Sequence, residues 1–304
     1  MLIPVMLTVS VLIFFMVRIL PGDVISEILG IEQTPENRAI LERQFNFDKP
    51  VPQQYFIWMT NILRGDFGVS LRTGRPILPD LMQRFKVTFE LALIASIIAW
   101  IIAIPLGILS AIKRNSMSDF FIRIFSLLGV SVPNFAFATL LILVLALGFN
   151  YYPPITWVDF TVNPIRNLET VFWPALVLGS IMAGSVMRMT RSSMLDNLRQ
   201  DFIKTVRAKG AGPRLVIFKH AFKNSLIPII TIIGMQMGAL LGGTVVIEQI
   251  FALPGVGQMT LDAIFKRDYP IVQINILMLA GIYVLINLLV DILYAVIDPR
   301  VTLK

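Results

Sequence analysis

The chain has 304 residues, 56% of them hydrophobic and 15% charged, with a formal net charge of +7. Soluble domains are about 25% charged, and a mean hydropathy of +0.77 excludes a soluble one- or two-domain protein. Several apolar runs approach the roughly 20 residues that cross a bilayer as a helix. The basic balance therefore reads as Lys and Arg retained on cytoplasmic loops, with membrane lipid as a partner and no nucleic acid. Zero cysteines exclude disulfides, thiolate metal sites and cysteine nucleophiles together.

The first apolar run is Leu2–Leu20, interrupted by Pro4, Thr8, Ser10 and Arg18. No basic region precedes it and no small-residue cleavage site follows, so a retained span is expected rather than a signal peptide. Its abrupt start leaves room for a few basic residues ahead of Met1. Asp23 to about Val87 is the longest polar segment. Thr34-Pro35-Glu36 predicts an N-cap, a proline at the first helical position and an early acid, hence a short helix through Phe45. Pro52 can open a second helix with Tyr55, Phe56, Met59, Ile62 and Leu63 on one face. Gly65, Gly68 and Gly74 then break regular structure.

Five further spans are predicted: Thr88–Ile112, Phe120–Gly148, Phe172–Met187, Leu226–Phe251 and Ile271–Ile297. Pro105, Gly107, Pro133, Asn134, Gly179 and Gly184 perturb the earlier ones. Gly234, Gly238 and Gly242, four apart, share one face of the fifth and favour close helix approach or, less often, a pore lining. The expected fold is an all-α polytopic membrane protein with six transmembrane helices. Residues 1–20 form the first span, 21–87 an extracytoplasmic cap, and 88–304 a five-helix core with a cytoplasmic hairpin at 189–225.

Charge sets the expected orientation. With the N-terminus inside, fourteen Lys and Arg fall on the cytoplasmic side, from Lys113 and Arg114 to Arg300 and Lys304. The short outer loops hold only Arg166, Lys266 and Arg267. The 21–87 segment exceeds ~60 residues, a length at which charge counts little. N-in, C-in follows.

No chemistry of its own is visible. The sequence has no Gly-Lys-Ser/Thr for a phosphate-binding loop, one histidine (His220) and hence no His-based metal cluster, and no Gly-x-Ser-x-Gly elbow. Glu90 and Glu248 lie near the outer ends of spans, where a carboxylate can reach headgroups; Asp291 sits near an inner end. Asn134, Gln236 and Asn287 are deeper. Asn134, Gln236 and Gly238 are candidate pathway-lining residues, with interhelical hydrogen bonding as the alternative.

Met189–Pro228 stands apart. It holds eight of the 26 Lys and Arg, the single histidine and a Gly210-Ala211-Gly212-Pro213 turn. Ser192 and Ser193 can cap a helix with Met194, Leu195, Leu198, Phe202 and Val206 at helical spacing, and Arg214–Lys223 reads helical again. An amphipathic hairpin on anionic lipid and a docking element for a soluble partner both fit.

Thr205-Val206-Arg207-Ala208-Lys209-Gly210 and His220-Ala221-Phe222-Lys223-Asn224-Ser225-Leu226-Ile227-Pro228 resemble the cytoplasmic signature loop of ABC-importer permeases, dipeptide/oligopeptide/nickel branch. The general pattern is Glu-Ala-Ala, three residues, Gly; here Gly210 is kept and Lys204-Thr205-Val206 replaces Glu-Ala-Ala. Leu20-Pro21-Gly22-Asp23, Gly65-Asp66-Phe67-Gly68, Arg188-Met189-Thr190-Arg191, Glu248–Gly257, Arg267-Asp268-Tyr269-Pro270 and Asp298-Pro299-Arg300 are similar to further landmarks, in order along the chain.

The resemblance implies the type I importer permease fold in a bacterial or archaeal cytoplasmic membrane. It implies a sister permease, two ATPase subunits and an extracytoplasmic substrate-binding protein. The chain would hold no cofactor, with ATP and Mg in the partner subunits, and would not be an enzyme. The 196–223 loop would dock an ATPase through Asp201, Thr205, Arg207, Ala208, Lys209, Gly210, His220, Asn224 and Pro228. Di- or oligopeptides are the implied solute; glutathione, nickel chelates, haem or oligosaccharides stay open, as does a secondary transporter acting alone.

Overall fold

The computed structural model describes residues 2–19, 25, 29 and 33–297. Leu20-Pro21-Gly22-Asp23 and Asp298-Pro299-Arg300 lie outside the described residues. Twelve helices account for most of the described chain: α1 (Leu2–Ile19), α2 (Pro35–Gln44), α3 (Val51–Leu63), α4 (Ile77–Ile112), α5 (Met117–Ser131), α6 (Asn134–Phe149), α7 (Pro164–Leu198), α8 (Asp201–Ala208), α9 (Leu215–Phe222), α10 (Lys223–Ile250), α11 (Val256–Phe265) and α12 (Tyr269–Ile297). Among the described residues, four helices are long and apolar enough to cross a bilayer. The bent pair α5–α6 makes a fifth if it is one crossing. The chain divides into two compact units, Met1–Lys86 with Gly255–Val284, and Val87–Pro254 with Leu285–Lys304.

In the first unit, the hydroxyl of Ser10 on α1 lies 2.9 Å from that of Tyr55 on α3. Beside it, Phe14 stacks edge-on to Tyr55 with ring centres 5.3 Å apart, so a polar residue in an apolar helix is satisfied where an aromatic wall covers it. Thr34 caps α2 by accepting from the Asn37 amide at 3.2 Å, with Pro35 in the first turn, as its sequence predicts. α3 starts one residue before Pro52, but its inward face differs from expectation. Trp58 and Ile62 pack against buried Ile77, Leu81, Val256, Met259 and Ile274, whereas Phe56 and Leu63 are 67% and 79% exposed. Two neighbouring stripes share Tyr55 and Ile62, and the bulk of Trp58 selects between them.

The loop after α3 turns on three glycines with positive φ, Gly65, Gly68 and Gly74. It is anchored by the buried Asp268 carboxylate, which accepts from the Ser70 hydroxyl and from the Leu71 amide at 3.1 Å. The Arg72 Nε also donates to the Lys266 carbonyl at 2.6 Å. Spacing gave no sign of α11, which has ten residues and no side-chain N-cap.

In the second unit α7 runs 35 residues and carries the largest share of buried side chains. Glycine explains how its neighbours come so close. A methyl added to Gly184 of α7 would lie 2.6 Å from the Ser126 carbonyl oxygen of α5. One on Gly179 would lie 2.6 Å from that of Ala95 of α4, and one on Gly107 of α4 would lie 2.6 Å from the Thr190 Cβ of α7. Thus α4 and α5 both meet α7 at backbone distance, the packing that small residues allow in membranes. Pro105, Pro174 and Pro228 are held inside α4, α7 and α10.

Two expectations are corrected here. The Phe120–Gly148 run is two helices bent by 108° at Val132-Pro133, because proline removes an amide and disfavours helical geometry in the residue before it. Glu248 does not reach headgroups: it is buried and accepts from the Thr88 hydroxyl at 2.7 Å. Glu90 accepts from the Trp157 indole at 3.1 Å.

Replacing Gly184 by Val should lower the thermal unfolding midpoint in detergent by at least about 2 °C, since overpacking costs ~1–3 kcal/mol. Gly148, with nothing within 4 Å of an added methyl, should accept Ala with the midpoint unchanged or raised.

Candidate functional site

The hairpin begins where α7 stops. Arg199 closes α7 and Gln200 is extended, so α8 starts afresh at Asp201 rather than continuing the helix. Ser192 and Ser193 consequently lie inside α7 and cap nothing, contrary to expectation. The two-residue break also resets the register: Ile203 is fully buried while Phe202 turns outward, 38% exposed. Asp201 occupies the first turn of α8, where a helix N-terminus favours an anion. It pairs with Lys204 at 2.8 Å.

Gly210 ends α8. Its amide donates to the Arg207 carbonyl at 2.9 Å and the Ala211 amide donates to the Val206 carbonyl at 3.3 Å. This is the Schellman arrangement, and it needs the left-handed residue that Gly210 supplies at φ +83°. Val206 and Ala211, the two positions that such a cap brings together, both pack on the same apolar cluster. Nothing lies within 4 Å of a methyl added to Gly210; the requirement is conformational and not one of space. Beyond Pro213, α9 is wound as a π-helix and passes directly into α10. π-helical turns are rare and occur often at functional sites.

The hairpin is fixed from beneath. Ile203, Val216 and Ala221 form a buried cluster with Met194 of α7 and with Ile108 and Ala111 of α4. At its base the Asn197 side-chain amide donates to the Ser225 hydroxyl at 3.0 Å and to the Ser193 carbonyl at 2.9 Å. Asp201, Thr205, Arg207, Ala208, Lys209 and Gly210 are all exposed on α8 and its cap, and Asn224 is exposed on the first turn of α10. His220 and Pro228 are only half-buried or less open, and Pro228 sits inside α10. Sequence periodicity missed the outward apolar residues Phe202, Leu215 and Phe218, which interleave with Arg207, Lys209, Arg214 and Lys219.

A second feature escaped the sequence reading. Asp119, in the first turn of α5, is fully buried. Its carboxylate receives the Arg191 guanidinium of α7 on both oxygens, at 2.8 and 2.9 Å. The Ser110 hydroxyl of α4 and the Asn115 amide complete its shell. Arg123 stands 3.8 Å away on the more exposed side. The available signal was the Ser116-x-x-Asp119 cap, in which the Ser116 hydroxyl accepts from the Asp119 amide at 3.3 Å.

Of the candidate pathway residues, Asn134 is half-buried at the start of α6, immediately after the 108° break. Gln236 and Gly238 are half-buried on α10, and the Gln236 side-chain oxygen is buried without a hydrogen-bond partner. The expected glycine face of α10 is uneven: an added methyl on Gly234 would meet Val290 at 2.5 Å, whereas Gly242 has nothing within 4 Å. Among the described residues no group of three His, Asp or Glu could hold a metal ion.

Residues 103–303 match the family model described as binding-protein-dependent transport system inner membrane component, and residues 2–92 match the N-terminal model of the same membrane components. The chain belongs to this family. It is 39% identical to the dipeptide transport system permease protein DppB of Alkalihalophilus pseudofirmus, over 99% of this chain and 96% of that one. It is 37% identical to the protein of the same name from Escherichia coli, again over 99% and 96%. As a binding-protein-dependent transport component it is a multi-pass inner-membrane protein, one part of a system of several subunits.

Gly210→Ala should strain the turn by about 1 kcal/mol, the cost of a left-handed conformation for a residue with a Cβ. Hydrogen exchange at the amides of residues 210 and 211 should accelerate about fivefold, with exchange inside α7 unchanged.

Proposed function

We propose that this chain is the membrane-spanning permease of an ATP-driven importer for di- or oligopeptides, coupled to separate ATPase subunits through the 196–223 hairpin. The observation that carries the reading is the hairpin itself. Its inner side is committed to a buried cluster on α4 and α7, and its outer side offers Phe202, Leu215 and Phe218 among Arg and Lys. Exposed aromatic and aliphatic anchors ringed by charge suit a groove in a soluble protein with acidic rims. Identity of 39% and 37% to two dipeptide permeases, over 99% of this chain, supports the peptide as solute.

In this reading the chain spans the membrane six times with both termini inside, as the distribution of Lys and Arg favours. Residues 1–20 are the first span and 21–87 an external cap that meets the binding protein. Residues 88–304 form the core, which pairs with a sister permease. Two ATPases bind ATP and Mg; this chain has no nucleotide site and no cofactor of its own. Docking is made by Asp201, Thr205, Arg207, Ala208, Lys209 and Gly210, with His220, Asn224 and Pro228 shaping the second arm. ATP-driven closure of the ATPases displaces the capped hairpin as one piece and reorients the spans, provided the two states differ in contact free energy. Asn134, Gln236 and Gly238 line the path opened by that motion, where the unpartnered Gln236 oxygen can accept from a peptide amide.

The test is Gly210→Asp in the assembled importer, reconstituted in vesicles with its ATPases and binding protein. An acid enters a surface otherwise set by Arg207, Lys209 and Arg214, so uptake of radiolabelled alanyl-alanine should fall at least about tenfold while insertion and assembly persist. Gly210→Ala isolates the backbone strain and should lose less. Undiminished uptake by Gly210→Asp would sink the docking model, and failure of the wild-type complex to accumulate alanyl-alanine would remove the peptide assignment.

A further inference from the structure

Asp119 is a carboxylate with no access to water in a membrane component of a transport system. Its four donors come from three places: the guanidinium of Arg191 on α7, the Ser110 hydroxyl on α4, and the Asn115 amide in the turn between α4 and α5. A buried charge is tolerated only when it is paired and hydrogen-bonded in full, so this set forms in one register of α4, α5 and α7 and in no other nearby one. Sliding α7 by one residue would strip both guanidinium bonds at once. Arg191 also lies close to the hairpin: it precedes Leu198, the end of α7, by seven residues, about 10 Å at helical rise.

The surroundings give this pair a direction. Upwards from it α5 meets α7 at backbone distance through Gly184, then breaks by 108° into α6. Downwards, α7 ends in the arm that carries the buried Ile203 cluster and the Asn197–Ser225 hydrogen bond. Arg191 on its own helix is thus tied to the hairpin, and Asp119 on its own helix is tied to the break.

We infer that the Asp119–Arg191 pair is a transmission pin: two positioning residues that carry displacement of the hairpin from α7 into α5 and so to the α5–α6 bend. This rests on the coupling role proposed above for the hairpin. Neither residue touches solute or nucleotide. Their work is to make α7 and α5 move together, because one cannot shift past the other without stripping both Arg191 hydrogen bonds from a buried carboxylate, whose remaining cation, Arg123 of its own helix, stands 3.8 Å away.

The experiment measures solute accumulated per ATP hydrolysed, using the complete importer in vesicles where the wild type accumulates alanyl-alanine. Asp119→Asn keeps the shape and one acceptor, and Arg191, partly exposed at 22% of its side chain, can still reach water, so assembly should survive. Asp119→Asn and Arg191→Gln should each lower the ratio about tenfold while stimulation of ATP hydrolysis by the binding protein persists. Arg191→Lys, which keeps the charge but not the two-oxygen fork, should fall between. Uptake and hydrolysis declining in parallel, leaving the ratio unchanged, would make the pair merely structural and overturn the inference. If the charge variants fail to assemble, Ser110→Ala removes one donor without orphaning a charge; an unchanged ratio there also overturns it. Gly210→Asp runs alongside: loss of coupling there with none in the Asp119 and Arg191 variants removes the pin and leaves the hairpin reading standing, whereas no loss in either removes both.

Discussion

The second unit depends on α7 being approached at backbone distance from two sides. Gly179 admits α4 and Gly184 admits α5, while Gly107 on α4 returns the contact lower down. With no side chain between the helices, dispersion contacts are made at the closest spacing that atoms allow, and any added methyl meets a carbonyl or a Cβ. In a bilayer, where lipid tails are as apolar as leucine, that packing supplies much of what holds helices together. The Asp119–Arg191 pair then fixes the axial register that smooth glycine contacts leave free. A buried ion pair adds little net stability over an apolar contact, yet removing one partner costs about 3–5 kcal/mol. It is better suited to holding a register than to holding a fold.

The hairpin follows the same logic at smaller scale. Its inner residues are used up by the Ile203 cluster, its end is set by the Gly210 cap and its base by Asn197 and Ser225. What remains outward is apolar and basic together, on an element fixed by packing and hydrogen bonds.

Much of this was legible in the residues. Thr34-Pro35-Glu36 announced the cap of α2, because an acceptor side chain, a fixed φ and an early acid are local requirements met by local residues. Long apolar runs announced the four helices long enough to cross a bilayer, and the Gly210 turn announced the hairpin. The legible errors came where neighbours decide. Periodicity put Phe202 on the inner stripe and Ser192 at a cap because it assumed one helix through Arg199-Gln200. It put Phe56 and Leu63 inward on α3, where the space beside Trp58 chose otherwise. Glu248 read as a headgroup-facing acid until Thr88, 160 positions away, proved to be its partner.

The sequence by itself therefore determined what depends on nearest neighbours along the chain: an all-helical membrane protein, its long apolar helices, its family landmarks and a glycine turn at position 210. Tertiary structure alone decided what depends on distant residues meeting. It turned α7 into the post that α4 and α5 share, and it buried Asp119 against Arg191, 72 positions on. An aspartate at a helix start is ordinary in any sequence. It becomes a pin only when packing removes the water and leaves a guanidinium as its counter-charge.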